Sequence, residues 1–175
     1  MTPTMPHRTL TTPDGPFTIV AGADTVLAAG WTADPAGLVA LIDPGLRDAP
    51  ATQAAAILDA AAAAVDAYYA GDWLAPARIV VRQHAGDFHE RAWAAMRLIS
   101  PGQTMSYAQL AAHAGNPAAV RAAGHACATN AAALFVPCHR VVRADGRLGG
   151  FRYGLAIKAS LLTREAGAGS GAFSV

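Results

Sequence analysis

The stretch from Leu134 to Val142, Leu-Phe-Val-Pro-Cys-His-Arg-Val-Val, most limits what this chain can fold into. Large and β-branched apolar residues enter it, which reads as a short buried strand or extended segment. Pro137 breaks the run, because proline donates no backbone hydrogen bond and holds Val136 extended. A thiol, an imidazole and a guanidinium follow the break: Cys138, His139 and Arg140. A thiol becomes a nucleophile when a neighbouring base or positive charge lowers its pKa. A proline-forced break would fix such a sulfur at the floor of a pocket. A buried structural cysteine beside a surface His-Arg pair has the same local sequence, so the surrounding chain must decide between them.

The amino-terminal part reads as a small sheet with a helix. Residues 1–12 read as a loose tail feeding a first strand, Pro13 to Pro16 as a turn, and Phe17 to Ala21 as a strand. Gly22 to Asp24 is a further turn and Val26 to Trp31 a second strand. After a segment rich in Pro and Gly, with a short helical possibility at Leu38 to Ile42, Ala51 to Ala70 is an alanine-rich helix stopped by Gly71. Ile79 to Val81 would form a last edge of the sheet. No catalytic constellation stands in this half.

The remainder is helical. Asp87 is the expected N-cap of a helix in which Phe88, Ala92, Trp93, Met96 and Ile99 recur at helical spacing, ended by Pro101-Gly102. Thr104 or Ser106 caps a short helix from Tyr107 to Ala114. Gly115 closes it, and Asn116-Pro117 opens a helix of small residues from Ala118 to about Thr129. Two short helices around a glycine turn have the helix-turn-helix outline, although an ordinary helical hairpin has it too. A glycine-rich loop from Leu148 to Gly154 leads to a last helix, Leu155 to Glu165, with Ile157, Leu161 and Leu162 as its apolar face. A glycine- and alanine-rich flexible tail follows. The loop lacks a Gly-Lys-Ser/Thr, which argues against nucleotide binding.

Charge separates the same two parts. Residues 1–77 hold two arginines against eight aspartates, a net of −6, whereas residues 78–175 carry +7. The basic surplus suggests that the second part meets a polyanion. With 53% hydrophobic and 14% charged residues, the 175-residue chain suits one good core, or a core with a small lobe. No window is apolar enough for a membrane span, and the amino terminus lacks a signal-peptide core. Cys127 and Cys138 are too few for a disulfide framework, so free thiols in a reducing cytoplasm are expected.

Together these residues resemble the O6-alkylguanine-DNA alkyltransferases, the methylated-DNA–protein-cysteine methyltransferases. The likeness is close over residues 86–166 and in outline only before that. It rests on Pro137-Cys138-His139-Arg140-Val141 followed by the glycine loop. Ser106-Tyr107, Asn116-Pro117, Val120-Arg121-Ala122, Asn130, and Lys158 to Glu165 with its Leu-Leu pair support it.

The resemblance implies an α/β fold of the α+β kind: a sheet-and-helix scaffold lobe at residues 1–82, a DNA-binding and alkyl-acceptor domain at 86–166, and a tail at 167–175. It implies a direct-reversal DNA repair enzyme that moves the alkyl group of O6-alkylguanine to its own Cys138 in a single turnover, with O4-alkylthymine left open as a further substrate. His139 would act as base through water, with Glu165 orienting the imidazole, and Asn130 would position the turn before the cysteine. Tyr107, Asn116, Arg121 and Ala122 would contact DNA entered by its minor groove. Arg121 would fill the gap left by a flipped guanine, and Tyr107 would press on the adjoining phosphate. Val141, Phe151, Arg152 and Tyr153 would line the base pocket. The partner would be double-stranded DNA containing alkylated guanine, with no membrane, no cofactor and a monomeric protein. Some members hold zinc in the first lobe; that lobe here has no cysteine and only His7, so no metal is expected. Phe88-His89 replaces the family's usual Phe-Gln, and Arg152-Tyr153 replace small residues.

Two other classes meet some of these features. A cysteine hydrolase would use Cys138, His139 and Glu165. A non-enzymatic damage-binding or regulatory helix-turn-helix protein would need the helices but not the acceptor thiol, which is present here.

Overall fold

A computed structural model describes residues 4–48 and 51–168; the rest of the expected tail, residues 169–175, lies outside the described residues. Strands β1 (His7–Thr12), β2 (Gly15–Ala21) and β3 (Val26–Gly30) form an antiparallel sheet in that order. His7 pairs with Val20 and Thr12 with Gly15, so the segment read as a loose tail is a strand from His7 onward. Its alternation of exposed and half-buried residues, with few large apolar side chains, had hidden it. β2 from Phe17 and the whole of β3 are buried, as continuous apolar runs require.

The outer edge of β3 is covered by two short parallel bridges, Val26 with Val81 and Ala29 with Ala132. Val26 N–H donates to Val80 O at 2.9 Å and Arg82 N–H to Val26 O at 3.0 Å. Further along, Ala29 N–H donates to Ala131 O at 2.8 Å and Ala133 N–H to Ala29 O at 3.0 Å. The expected last edge at residues 79–81 is thus a single bridge, and a second segment from far along the chain completes the edge. This satisfies backbone groups that an open edge would leave unpaired.

Helices α1 (Pro35–Val39) and α2 (Ala55–Tyr69) complete this part. Asp34 caps α1 through Ala36 N–H and Gly37 N–H. The expected helix from Ala51 is broken: Ala51–Gln53 form a 3₁₀ turn, and α2 starts only at Ala55. At its other end Gly71, with φ +106°, turns the chain so that Gly71 N–H reaches Tyr68 O and Asp72 N–H reaches Ala67 O. That pattern closes orphan carbonyls and needs a left-handed residue. Inside, Phe17 meets Trp31 edge-on at 5.0 Å. The Tyr69 hydroxyl accepts from Trp31 Nε1 at 2.9 Å and donates to Asp14 at 2.8 Å.

The second part contains α3 (Asp87–Met96), β4 (Met105–Ser106), α4 (Tyr107–His113), α5 (Val120–Ala128), β5 (Val141–Val142) and α6 (Leu155–Glu165). Gly86, not Asp87, occupies the N-cap of α3; Asp87 is the first helical residue, where its charge still favours the helix start. Ser106 caps α4 in a reciprocal box with Gln109. α5 begins at Val120, two residues later than expected. Asn116 instead caps the turn before it, accepting from Ala118 N–H at 3.2 Å. Arg91 Nε donates to Ala114 O at 2.7 Å and Trp93 Nε1 to Ala126 O at 2.9 Å, so α3 holds both helices of the helix-turn-helix. β4 and β5 pair in parallel, Met105 with Val141.

The chain divides into two compact units. One reaches to His84 and takes in Ala131–Phe135; the other comprises Ala85–Asn130 and resumes at Val136. No described helix is long and apolar enough to cross a membrane.

Candidate functional site

The segment before the cysteine is not a strand. Ala132 makes one bridge, Leu134 adopts φ +73°, and the chain turns before reaching Val136. A left-handed leucine is strained and persists only where its surroundings impose it. Asn130 Nδ2 donates to Val136 O at 2.9 Å, closing the loop whose interior residues belong to the first unit. Cys138, His139 and Arg140 then form a 3₁₀ turn, with Cys138 N–H bonded to Val136 O at 2.8 Å. Cys138 is buried, with 8% of the residue exposed.

His139 and Arg140 are buried, which removes the reading of a surface His-Arg pair. Both converge on Glu165, a fully buried carboxylate in the last turn of α6. His139 Nε2 lies 2.7 Å from Glu165 Oε1. Arg140 donates through Nε to Oε2 at 2.8 Å and through Nη2 to Oε1 at 3.0 Å, and its Nη1 donates to Ile99 O at 2.7 Å. A buried carboxylate is costly unless paired and hydrogen-bonded, and here a planar guanidinium and an imidazole together meet that requirement.

The charges fix the tautomer. Burial by itself would raise the Glu165 carboxyl, yet His139 and Arg140 hold it well below the ordinary carboxylate range. Burial pushes the His139 imidazole below its usual value, against the pull of Glu165. A neutral imidazole facing an ionised carboxylate carries its proton on Nε2. Nδ1 then holds the lone pair, and it is buried with no protein hydrogen-bond partner. Burial also pushes the Cys138 thiol up, countered by a hydrogen bond from Asn130 and by the Lys158 and Arg152 cations. Thiolate would therefore form when a base takes the proton, not spontaneously.

Lys158 is the least expected member. It is fully buried, and its Nζ donates to Val141 O at 2.7 Å and to Gly150 O at 3.2 Å, joining β5 to the glycine loop. The inward face of α6 is Lys158, Leu161, Leu162 and Glu165, with Ile157 only half-buried. The expected apolar face is therefore turned by one residue. The spacing 158, 161, 162 and 165 was available as a signal, but a lysine and a glutamate on a helix ordinarily face water. Arg140 was missed as a partner of Glu165 for the same reason.

The other candidate residues are placed as follows. Tyr107, half-buried at the start of α4, lies against Gly149, where a Cβ would come within 2.6 Å of its hydroxyl; burial pushes its phenol up to about 12. Arg121 is exposed in the first turn of α5 beside half-buried Ala122, and Asn116 is exposed before it. Val141 is buried in β5. Phe151 and Tyr153 meet edge-on at 5.7 Å, while exposed Arg152 donates to Ala128 O at the end of α5. Among the described residues no three His, Cys, Asp or Glu side chains gather as a metal cluster.

Comparison with known proteins points one way. Residues 87–167 match the family model described as 6-O-methylguanine DNA methyltransferase, DNA binding domain. The Ada transcriptional activator/DNA repair enzyme of Escherichia coli is 54% identical over 79 residues, which are 45% of this chain and 22% of Ada; the chain thus spans about a fifth of that relative. The methylated-DNA–protein-cysteine methyltransferase of Mycobacterium bovis is 34% identical over 172 residues, 91% of each chain. The crystal structure of Mycobacterium tuberculosis OGT in complex with DNA superposes with a TM-score of 0.74 at 30% identity, covering 92% of this chain and 93% of that one. With its α/β fold and the Pro137-Cys138-His139-Arg140 turn, the chain belongs to the methylated-DNA–protein-cysteine methyltransferase family.

Proposed function

We propose that this protein repairs DNA by moving the alkyl group of O6-alkylguanine onto its own Cys138. The observation that carries this reading is the near-buried thiol beside an imidazole whose tautomer is set by an ionised glutamate. Cys138 Sγ attacks the alkyl carbon in line with the C–O6 bond. The new S–C bond forms as the C–O6 bond breaks, and the electron pair leaves on the guanine oxygen and ring. The thiol proton passes through water to His139 Nδ1, which makes the imidazolium that Glu165 stabilises. A proton from water or the imidazolium then neutralises the guanine. Lys158 and Arg152 supply positive charge around the sulfur as thiolate develops.

A stacked guanine keeps O6 out of reach, so the base must leave the duplex. The α4–α5 surface, with exposed Asn116 and Arg121 and half-buried Tyr107 and Ala122, supports binding to double-stranded DNA, and Arg121 is the side chain available to occupy the gap. Val141, Phe151, Arg152 and Tyr153 wall the base pocket. The lobe at residues 1–82 acts as scaffold for the domain at 86–166. The protein works as a cytoplasmic monomer, where a reducing milieu keeps both thiols free.

The thioether formed at Cys138 is a stable C–S bond that neither water nor a second thiol cleaves, so transfer is stoichiometric. Intact-protein mass spectrometry after mixing with excess O6-methylguanine duplex should find one methyl group per chain, at Cys138. Repeated turnover, or modification at Cys127, would overturn the proposal.

A further inference from the structure

Away from Cys138, the second unit brings two imidazoles together. His89 stands on α3 and His125 on α5, with His89 Nε2 and His125 Nδ1 2.9 Å apart. The helices are fixed at that place, because the buried bond from Trp93 Nε1 to Ala126 O joins one turn of α3 to the residue after His125. The His89 ring is further held edge-on to Trp93, at 6.0 Å, and to His125, at 5.1 Å. Two ring nitrogens can share only one proton, so at least one of the facing atoms offers a lone pair. Burial, and then His125, hold His89 below its ordinary pKa, which favours the neutral ligand form. His125 lies four residues beyond Arg121 and therefore on the same side of α5.

We propose that His89 and His125 form a two-imidazole site for a borderline divalent transition-metal ion of the Zn²⁺, Ni²⁺ and Cu²⁺ class, with solvent completing the coordination. Imidazole suits these ions. At a metal–nitrogen distance of roughly 2.0–2.1 Å, two tetrahedral nitrogen ligands stand about 3.3 Å apart. The present separation needs to open by only a few tenths of an ångström. The proton shared between the rings moves to the outer nitrogen of the ring that carried it. Each imidazole then keeps one N–H and gives one lone pair, and the pair remains neutral. No third His, Cys, Asp or Glu among the described residues joins it in a cluster, so the ion is exchangeable. Its bound form ties α3 to the second helix of the helix-turn-helix.

Calorimetric titration of the full chain with NiCl₂ tests this, since nickel is better matched to imidazole than to the soft thiols of Cys127 and Cys138. Wild type should bind one ion per chain at this site and melt at a higher temperature with nickel than with EDTA. His89→Gln and His125→Gln should each weaken that binding by at least about tenfold, since even outer-shell changes cost on the order of 10- to 100-fold. Equal affinity in all three proteins, or weakening in only one variant, would overturn the site. A second measurement needs no variant: nickel should protect both His89 and His125 of the wild type from carbethoxylation, read by peptide mass spectrometry. Unchanged modification of either ring would also overturn it.

Discussion

The two units fill their interiors with different chemistry. In the first, the buried polar side chains among the described residues are Thr12 and Thr18, hydroxyls satisfied within or beside the sheet, and the rest of buried β2 and all of β3 are apolar or glycine. In the second, Asn130, His139, Arg140, Lys158 and Glu165 all lie inside. Replacing a buried ion pair by packed hydrophobic residues is often neutral or stabilising, so charge inside a small domain is poor evidence for stability alone. The contrast marks the second unit as the one whose interior is arranged for reactivity and the first as the one arranged for packing.

The largest effect expected from this difference is at Cys138. Cys138→Ala should abolish alkyl transfer while leaving duplex affinity within about tenfold, or roughly 1.4 kcal/mol. Filter binding beside the mass-spectrometric assay checks this; a greater loss of affinity would mean that the sulfur also organises the DNA-binding surface.

Next comes the carboxylate that a guanidinium and an imidazole share. Glu165→Gln leaves Arg140 buried without its counter-charge and should destabilise the fold by about 3–5 kcal/mol. Urea denaturation measures it, and a loss below 1 kcal/mol would erase the contrast between the units. The same network makes stability acid-sensitive. His139 is held below its ordinary value of 6.5, mainly by burial, so as pH falls through that value the unfolded chain takes up a proton that the folded chain resists, and stability declines. Glu165 is depressed despite burial; its contribution is present above the unfolded carboxylate value and is lost as pH falls through the folded one. Denaturation midpoints should therefore fall in two stages on acidification, and Glu165→Gln should remove the lower stage.

Arg121→Ala should slow duplex repair by about tenfold to a hundredfold, roughly 1.4 to 2.7 kcal/mol, at saturating DNA. Reaction with free O6-benzylguanine, which has no stack to leave, should change by less than about threefold. Equal losses on both substrates would move Arg121 from base extrusion to support of the pocket. The smallest effect belongs to the first unit. Tyr69→Phe removes the hydroxyl between Trp31 and Asp14 and should cost about 1–2 kcal/mol of stability with no change in transfer rate. A slowed transfer would show that the scaffold reaches the chemistry.

Much of this architecture is written in local pattern. α6 runs over the expected residues, Leu155 to Glu165, although its inward face is turned by one residue, and Ser106 and Gly115 punctuate α4 as their capping chemistry dictates. What local pattern hides is whatever tertiary pairing decides. β1 is a half-exposed edge strand recognisable only from its partner β2. The bend at Leu134 depends on a backbone conformation that no leucine signals. Cys138, His139 and Glu165 were identifiable as candidates through the likeness to the alkyltransferases, but the roles of Arg140 and Lys158 were not. Both point inward because oxygen acceptors await them there, Glu165 and Ile99 O for the one, Val141 O and Gly150 O for the other.

Gly149 and Gly150 illustrate how unequally neighbouring positions constrain inherited variation. At Gly149, with φ +71°, a methyl group would meet the Tyr107 hydroxyl at 2.6 Å, whereas one at Gly150 would meet nothing within 4 Å. Any side chain at the first position must displace an aromatic ring at the head of α4; the second has room for one. In a population of sequences under selection for this site, drift has an open door at Gly150 and a closed one a single residue earlier.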